Sequence, residues 1–166
     1  MDVTIINFIQ NNFHNPFTDF IFPLITALGT GSAIWLIVAV FMLITKKYRR
    51  WGIVLLTAIV LTFIVGEVVL KPLIARLRPF TLYPSIPLLI NPPLSFSFPS
   101  GHASSSFAAA TVLWHVKRKW GIAAVTVATL IAFSRVFLFV HFPSDVLAGA
   151  FLGFCIATLA CRICKK

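Results

Sequence analysis

A chain of 166 residues is the length of a single domain. It is 59% hydrophobic and only 11% charged, with 17 Phe and a mean hydropathy of +0.97, which excludes an ordinary soluble domain and points to membrane-spanning helices. The net charge of +10 does not indicate nucleic acid, because ten of the 14 Lys and Arg fall in three short runs beside apolar spans, as in cytoplasmic loops.

In chain order, Asp2 to His14 precedes the first span. Ile5, Ile6, Ile9 and Phe13 share one face at helical spacing, with Thr4, Asn7 and Asn11 opposite. This predicts a short amphipathic helix on the membrane surface. No charged segment precedes a short apolar stretch, so no cleaved leader is expected. Five spans follow, at roughly 20–44, 51–71, 102–116, 120–140 and 144–163. A helix of about 21 residues covers about 31 Å, enough for the hydrocarbon layer. The three basic runs are Lys46, Lys47, Arg49 and Arg50; then Lys117, Arg118 and Lys119; then Arg162, Lys165 and Lys166. If all three lie inside, the C-terminus is inside and the N-terminus, the 72–101 connection and the 141–144 connection are outside. The stretch 79–98 carries five of the ten Pro. It cannot be one helix, and its apolar character predicts a loop against the membrane surface. Gly149 and Gly153 form a GxxxG that predicts close packing of the last helix. Cys155, Cys161 and Cys164 imply no disulfide framework.

The four remaining basic residues, Lys71, Arg76, Arg78 and Arg135, all fall at predicted outer helix ends. In KPLIARLRP, Lys71 and Arg78 lie two turns apart and share a face if the helix continues, with Arg76 on a different face; Pro79 ends it. Glu67 stands one turn before Lys71 and is placed to pair with it. In PSGH, Gly101 allows close backbone approach, the N-terminus of the third helix favours an anion, and His102 can exchange a proton. Ser104, Ser105 and Ser106 read as packing residues. In SRVFLFVHFPSD, Arg135 is a charge in an apolar run that needs a partner. Asp145, four residues after His141, can fix one imidazole nitrogen and leave the other as a nucleophile. Taken singly, each stretch also fits a plainer role: snorkelling cations, a Ser-capped helix start, a salt-bridged corner. Together they place three cations, two histidines, a carboxylate and a helix N-terminus on one side of the membrane, the inventory of phosphoryl transfer. No carboxylate cluster is present to hold magnesium.

These residues resemble a known family. Lys71-x6-Arg78-Pro79, then Pro99-Ser100-Gly101-His102, then Ser134-Arg135-x5-His141-x3-Asp145 look like the three-part signature of the type 2 phosphatidic acid phosphatase superfamily. The resemblance covers 71–145. It implies an all-α integral membrane protein with an acid phosphatase/vanadium peroxidase-like helical core, one domain over 1–166. Members usually have six membrane helices; here five are expected, the first being reduced to the amphipathic segment. The activity implied is a lipid phosphate phosphatase. His141 would attack phosphorus, Asp145 would orient it, and His102 would protonate the leaving group and then activate water. Lys71, Arg78, Arg135, Ser100 and the Gly101 N–H would bind phosphoryl oxygens. No metal or other cofactor is implied, and the partner is a lipid phosphate. No nucleic acid and no obligate protein partner are expected. Bacterial relatives of this size act on undecaprenyl pyrophosphate, phosphatidylglycerophosphate or lipid A 1-phosphate; phosphatidic acid is a further candidate. The location implied is the cytoplasmic membrane, with the site facing the periplasm. The rivals are a non-catalytic protein or transporter that binds anionic lipid, and vanadate-dependent peroxidase chemistry, whose known carriers are soluble.

Overall fold

The computed structural model describes residues 1–165; Lys166, the end of the third basic run, lies outside the described residues. Among the described residues the regular elements are all helices, with no strand, and 83–100 forms a long non-helical connection. Four runs are long and apolar enough to cross a membrane: Pro16–Ile44, Lys46–Leu82, Arg118–Phe137 and Pro143–Cys164. A fifth helix, α7 (Gly101–Val116), is 16 residues long and forms the centre of the bundle. Its sequence explains that place. Small residues cover every face, and Ala103, Ser104, Ser105, Ser106, Ala108, Ala109 and Ala110 are all buried, so neighbouring helices can approach its backbone closely.

The N-terminal helix α1 (Asp2–Asn12) forms as expected. Only Ile6 and Ile9 of its apolar face are buried, whereas Ile5 and Phe13 are exposed. Gln10 Nε2 donates to Phe137 O at 2.8 Å. The helix α2 (Pro16–Gly29) begins with Asn15 as its cap, in a reciprocal capping box with Thr18 and with Pro16 at the first position. The predicted single span 20–44 is in fact two helices. The chain breaks at Thr30–Ser32, where Gly31 (φ 57°) and Ser32 (φ 59°) are left-handed, before α3 (Ala33–Ile44) resumes.

The helix α4 (Arg49–Phe63) runs on through a π-helical stretch, Ile64–Leu70, into α5 (Lys71–Ile74). Pro72 accounts for the widening. A proline ring inside a helix clashes with the carbonyl four residues back, and the Lys71 amide bonds Gly66 O, five back. The expectation that Lys71 and Arg78 share one continuous helical face does not hold. Ala75 adopts φ 48° and ends the helix, so Arg78 is delivered by a short extended link before α6 (Pro79–Leu82).

The helix α8 (Arg118–Phe137) ends three residues earlier than the predicted 140. A tight turn carries the chain into α9 (Pro143–Lys165). The GxxxG packs α9 on α7: a Cβ at Gly149 would lie 2.4 Å from Ser100 O, and one at Gly153 would lie 2.1 Å from Ser104 O. The basic runs gather at one end of the bundle. Arg50 Nε donates to Cys164 Sγ at 3.2 Å, and Tyr48 meets Trp120 at 5.0 Å between ring centroids. The three sequence stretches of interest lie at the other end.

Candidate active site

Each motif residue reaches this end from a different element. Lys71 sits where the π-helical stretch becomes α5. Its Nζ is 2.8 Å from Glu67 Oε1 and donates to Ser95 Oγ at 3.0 Å. The same Ser95 Oγ accepts from Arg78 Nη2 at 3.2 Å. Arg78 is further held by Ser95 O (2.7 Å) and Phe96 O (3.1 Å), and its Nη1 donates to Val140 O at 2.6 Å. That nitrogen also lies 3.1 Å from His141 Nε2. Arg135 on the last turn of α8 donates through Nη1 to Thr26 Oγ1 on α2 at 2.6 Å, and its carbonyl accepts the His141 amide at 3.2 Å. Lys71, Arg78 and Arg135 are each only 4% exposed, and so many buried cations at one end of an apolar bundle mark a centre for anions.

Ser100 caps α7, with its Oγ accepting from the Ala103 amide, and its own amide donates to Asp145 O at 3.0 Å. The phosphate cradle expected at PSGH therefore cannot use the Ser100 amide. The amides of Gly101 and His102 are its first-turn donors, since neither has a carbonyl four residues back within the helix. Glu67 packs against Gly101 so closely that a Cβ there would displace the Glu67 carboxylate, Oε1 lying 2.3 Å from its position. Gly29 on α2 is constrained in the same way by His102, whose Cδ2 would be 2.8 Å from an added Cβ. Gly29, Thr62, Phe63, Glu67, Gly101 and His102 line a common cavity of about 210 Å³. Two of the buried side-chain nitrogens without a protein partner among the described residues belong to this centre: His102 Nε2 and Arg135 Nε.

His141 is buried in the α8–α9 turn. Its Nδ1 faces Asp145 Oδ2 at 3.6 Å and Ser97 Oγ at 3.5 Å, contacts at or beyond the limit of a hydrogen bond. Burial pushes its pKa down to about 3; Arg78 and Arg135 add to the effect, and Asp145 opposes it. Neutral imidazole with Nδ1 turned to a carboxylate leaves the Nε2 lone pair facing the cations. Asp145 is wholly buried and fully engaged. Oδ2 accepts from Ser97 Oγ (2.5 Å) and the Phe142 amide (2.9 Å), and Oδ1 accepts from Arg76 Nη1 (2.5 Å).

All nine residues singled out from the sequence thus belong to one connected centre. Sequence reasoning missed Ser95, Ser97, Thr26, Arg76 and Asp2. For Ser95 and Ser97 a signal existed: the alternation in LSFSF puts both serines on one side of an extended segment.

Two histidines and three buried cations gathered around one helix N-terminus are groups that can hold an anion. Residues 51–166 match the PAP2 superfamily, and the chain belongs to that superfamily. It is 38% identical over 131 residues to a Sulfolobus acidocaldarius protein named undecaprenyl-diphosphatase, covering 78% of this chain and 63% of that one. It therefore spans less than two thirds of that relative. The crystal structure of Aquifex aeolicus LpxE superposes with a TM-score of 0.84 at 30% identity, over 96% of this chain and 94% of that one. The PAP2 type phosphatidylglycerolphosphate phosphatase of Bacillus subtilis superposes with a TM-score of 0.83 at 27% identity, over 99% and 85%.

Proposed function

We propose that this protein is a membrane phosphatase that removes a terminal phosphate from a lipid through a covalent phosphohistidine, with its site on the outer, periplasmic side. The observation that carries the reading is the setting of His141. It is buried and neutral, its Nδ1 faces Asp145, and its Nε2 is 3.1 Å from the guanidinium of Arg78. That geometry presents a lone pair beside the groups that would hold a phosphoryl oxygen.

In the first step the Nε2–P bond forms and the P–O bond to the lipid breaks. The Arg78 guanidinium passes from Nε2 to the equatorial oxygens, which Lys71, Arg135 and the Gly101 and His102 amides also meet. Ser100 contributes by holding the first turn of α7 in place. The leaving oxygen takes a proton from His102, which must enter this step as imidazolium, protonated once the bound phosphoryl anion offsets the field of the neighbouring cations. Its ring lines the cavity where the rest of the substrate would sit. In the second step water gives a proton to His102 and attacks phosphorus. The N–P bond breaks, and inorganic phosphate leaves. Glu67 balances the Lys71 charge at 2.8 Å, which keeps that ammonium from dominating the pocket. The four carboxylates of the chain are each paired with a basic side chain, so the charge compensation of the phosphoryl group falls to Lys and Arg.

The substrate class is a lipid phosphate or pyrophosphate, with undecaprenyl pyrophosphate, phosphatidylglycerophosphate, lipid A 1-phosphate and phosphatidic acid as the panel to test. The relatives' names and the apolar, span-length helices that carry the centre support this choice. Purified protein and His141→Ala should be compared across the panel by phosphate release, with and without EDTA and vanadate. Release by the native protein alone, blocked by vanadate and insensitive to EDTA, is expected. Undiminished release by His141→Ala would show that the chemistry lies elsewhere, and loss on EDTA would show that a metal takes part.

A further inference from the structure

The chain has four side-chain carboxylates, and two of them, Asp2 and Asp19, have no task in the chemistry above; Asp19 pairs locally with His14. Asp2 opens α1, outside the bundle, yet it reaches the first turn of α9. Its Oδ1 accepts from the Ser144 amide at 3.1 Å. Its Oδ2 accepts from the Ser144 hydroxyl and from Arg76 Nη2 at 2.8 Å. Arg76 donates in turn through Nη1 to Ser144 Oγ at 2.7 Å and to Asp145 Oδ1 at 2.5 Å. Its guanidinium also lies over the Phe142 ring, with Cζ 4.2 Å from the centroid. One guanidinium therefore bridges two carboxylates, and the second is the one beside His141.

The other end of α1 is held as well. Gln10 Nε2 donates to Phe137 O, the last residue of α8, and Ile6 and Ile9 are buried with Phe137, Leu138 and Val140. The helix thus grips the end of α8 through Gln10 and the start of α9 through Asp2. The five-residue turn between those grips, Leu138 to Phe142, carries His141.

We propose that Asp2 and Arg76 are positioning residues for phosphoryl transfer, with α1 acting as a brace across the turn that presents His141. The role rests on the reading of His141 as nucleophile. Arg76 cannot serve as a further phosphate ligand in this arrangement, because both Nη atoms are spent on carboxylates and Ser144. Its effect is on Asp145. Ser97 and the Phe142 amide hold only Oδ2, and Arg76 on Oδ1 fixes the rotation of the carboxylate about its own axis. Asp2 fixes Arg76, since a guanidinium held at both forks has one orientation.

The test uses the full chain in detergent micelles with a lipid phosphate that the native protein hydrolyses. Phosphate release by the native protein, lost in His141→Ala, establishes the nucleophile. If that contrast fails, the reading of His141 fails and this role with it. With the contrast intact, Asp2→Asn is expected to lower kcat about tenfold and leave KM within about twofold, since one charge-assisted hydrogen bond is lost away from the phosphate pocket. Arg76→Lys is expected to lose more, and Asp2→Glu to recover most of the rate. A kcat for Asp2→Asn within about twofold of native overturns the positioning role alone. So does a rate loss that matches the loss of folded protein, measured by size-exclusion chromatography, with normal kcat per folded molecule. A purely structural brace predicts that second outcome, and also that Asp2→Glu and Asp2→Asn behave alike.

Discussion

Asp145→Asn isolates what the carboxylate contributes to His141. The side chains are nearly the same size, and both residues are fully buried. The charge of Asp145 lies 3.6 Å from Nδ1, too far for a good hydrogen bond, so its effect is mainly Coulombic. At an effective dielectric near 20, unit charges at that separation interact by about 4–5 kcal/mol, which corresponds to roughly 10³-fold in rate if the imidazole carries a full positive charge in the transition state. A second effect works in the same direction. The amide of Asn must point its NH2 either at Ser97 Oγ and the Phe142 amide or at Arg76 Nη1, and either choice sets donor against donor. The assay is phosphate release from micellar lipid phosphate, fitted for kcat and KM separately. The expected outcome is a kcat lowered by about 10²–10³ with KM nearly unchanged, because Asp145 does not face the phosphate pocket. Folded Asp145→Asn with kcat within about threefold of native would refute the assignment of an electrostatic role.

Arg135→Lys should show the opposite pattern. The fork that reaches Thr26 Oγ1 and presents an unpartnered Nε is lost, so kcat/KM should fall about 10- to 100-fold with much of the change in KM; an unchanged KM in the same assay removes Arg135 from phosphate binding. Gly153→Leu should destabilise by about 3 kcal/mol or more, because its Cβ would meet the backbone at Ser104 O (2.1 Å) and Ala108 N (2.9 Å) and α7 and α9 must separate; a native-like melting temperature in detergent contradicts the close approach. Stability should also depend on pH through His141. Its folded value is about 3 against an ordinary 6.5, so above pH 6.5 it contributes nothing pH-dependent. Between 6.5 and 3 the unfolded chain takes up a proton that the folded one refuses, and stability falls as pH falls, by up to about 1.4 kcal/mol per unit. His141→Gln should remove that part of the dependence, and equal pH slopes for the two proteins between pH 6.5 and 4.5 would refute it.

Much of this centre was legible because its chemistry is written in residue types that an apolar chain otherwise avoids. Lys71, Arg78 and Arg135 stand out as charges away from the basic loops, and His141 and Asp145 lie one helical turn apart. What stayed hidden has a physical reason in each case. The sequence around Arg76 reads as continuous helix, and the left-handed turn at Ala75 carries no glycine or asparagine to announce it. Helical spacing therefore places Arg76 on another face, whereas the break turns it toward Asp145. Thr26 is 109 residues before its partner Arg135, and Asp2 is 74 and 142 residues before its partners Arg76 and Ser144, and no local spacing connects them. The break at Thr30–Ser32 was readable in GTGS, but hydropathy averages across it. The π-helical stretch had its signal in Pro72, directly after the lysine it positions.

The distribution of charge explains why the chain tolerates a centre of this kind. Buried cations in a low-dielectric bundle are costly unless matched, and here four cations, Lys71, Arg76, Arg78 and Arg135, meet three carboxylates, Asp2, Glu67 and Asp145. Two of those cations are neutralised at close range: Lys71 by Glu67, and Arg76 by Asp2 and Asp145. Arg78 and Arg135 are not. They are held instead by neutral acceptors, the carbonyls of Ser95, Phe96 and Val140 and the hydroxyl of Thr26. Neutral acceptors fix a guanidinium in place without cancelling its charge. Arg78, 3.1 Å from His141 Nε2, and Arg135 thus keep their field for whatever anion enters, while Lys71 and Arg76 are spent on carboxylates. The close contact of α7 with α9 through Gly149 and Gly153 supplies the packing that offsets this cost, and it also brings the Ser100 amide within 3.0 Å of Asp145 O. The same small-residue seam therefore stabilises the bundle and aligns the helix N-terminus with the carboxylate that faces the histidine.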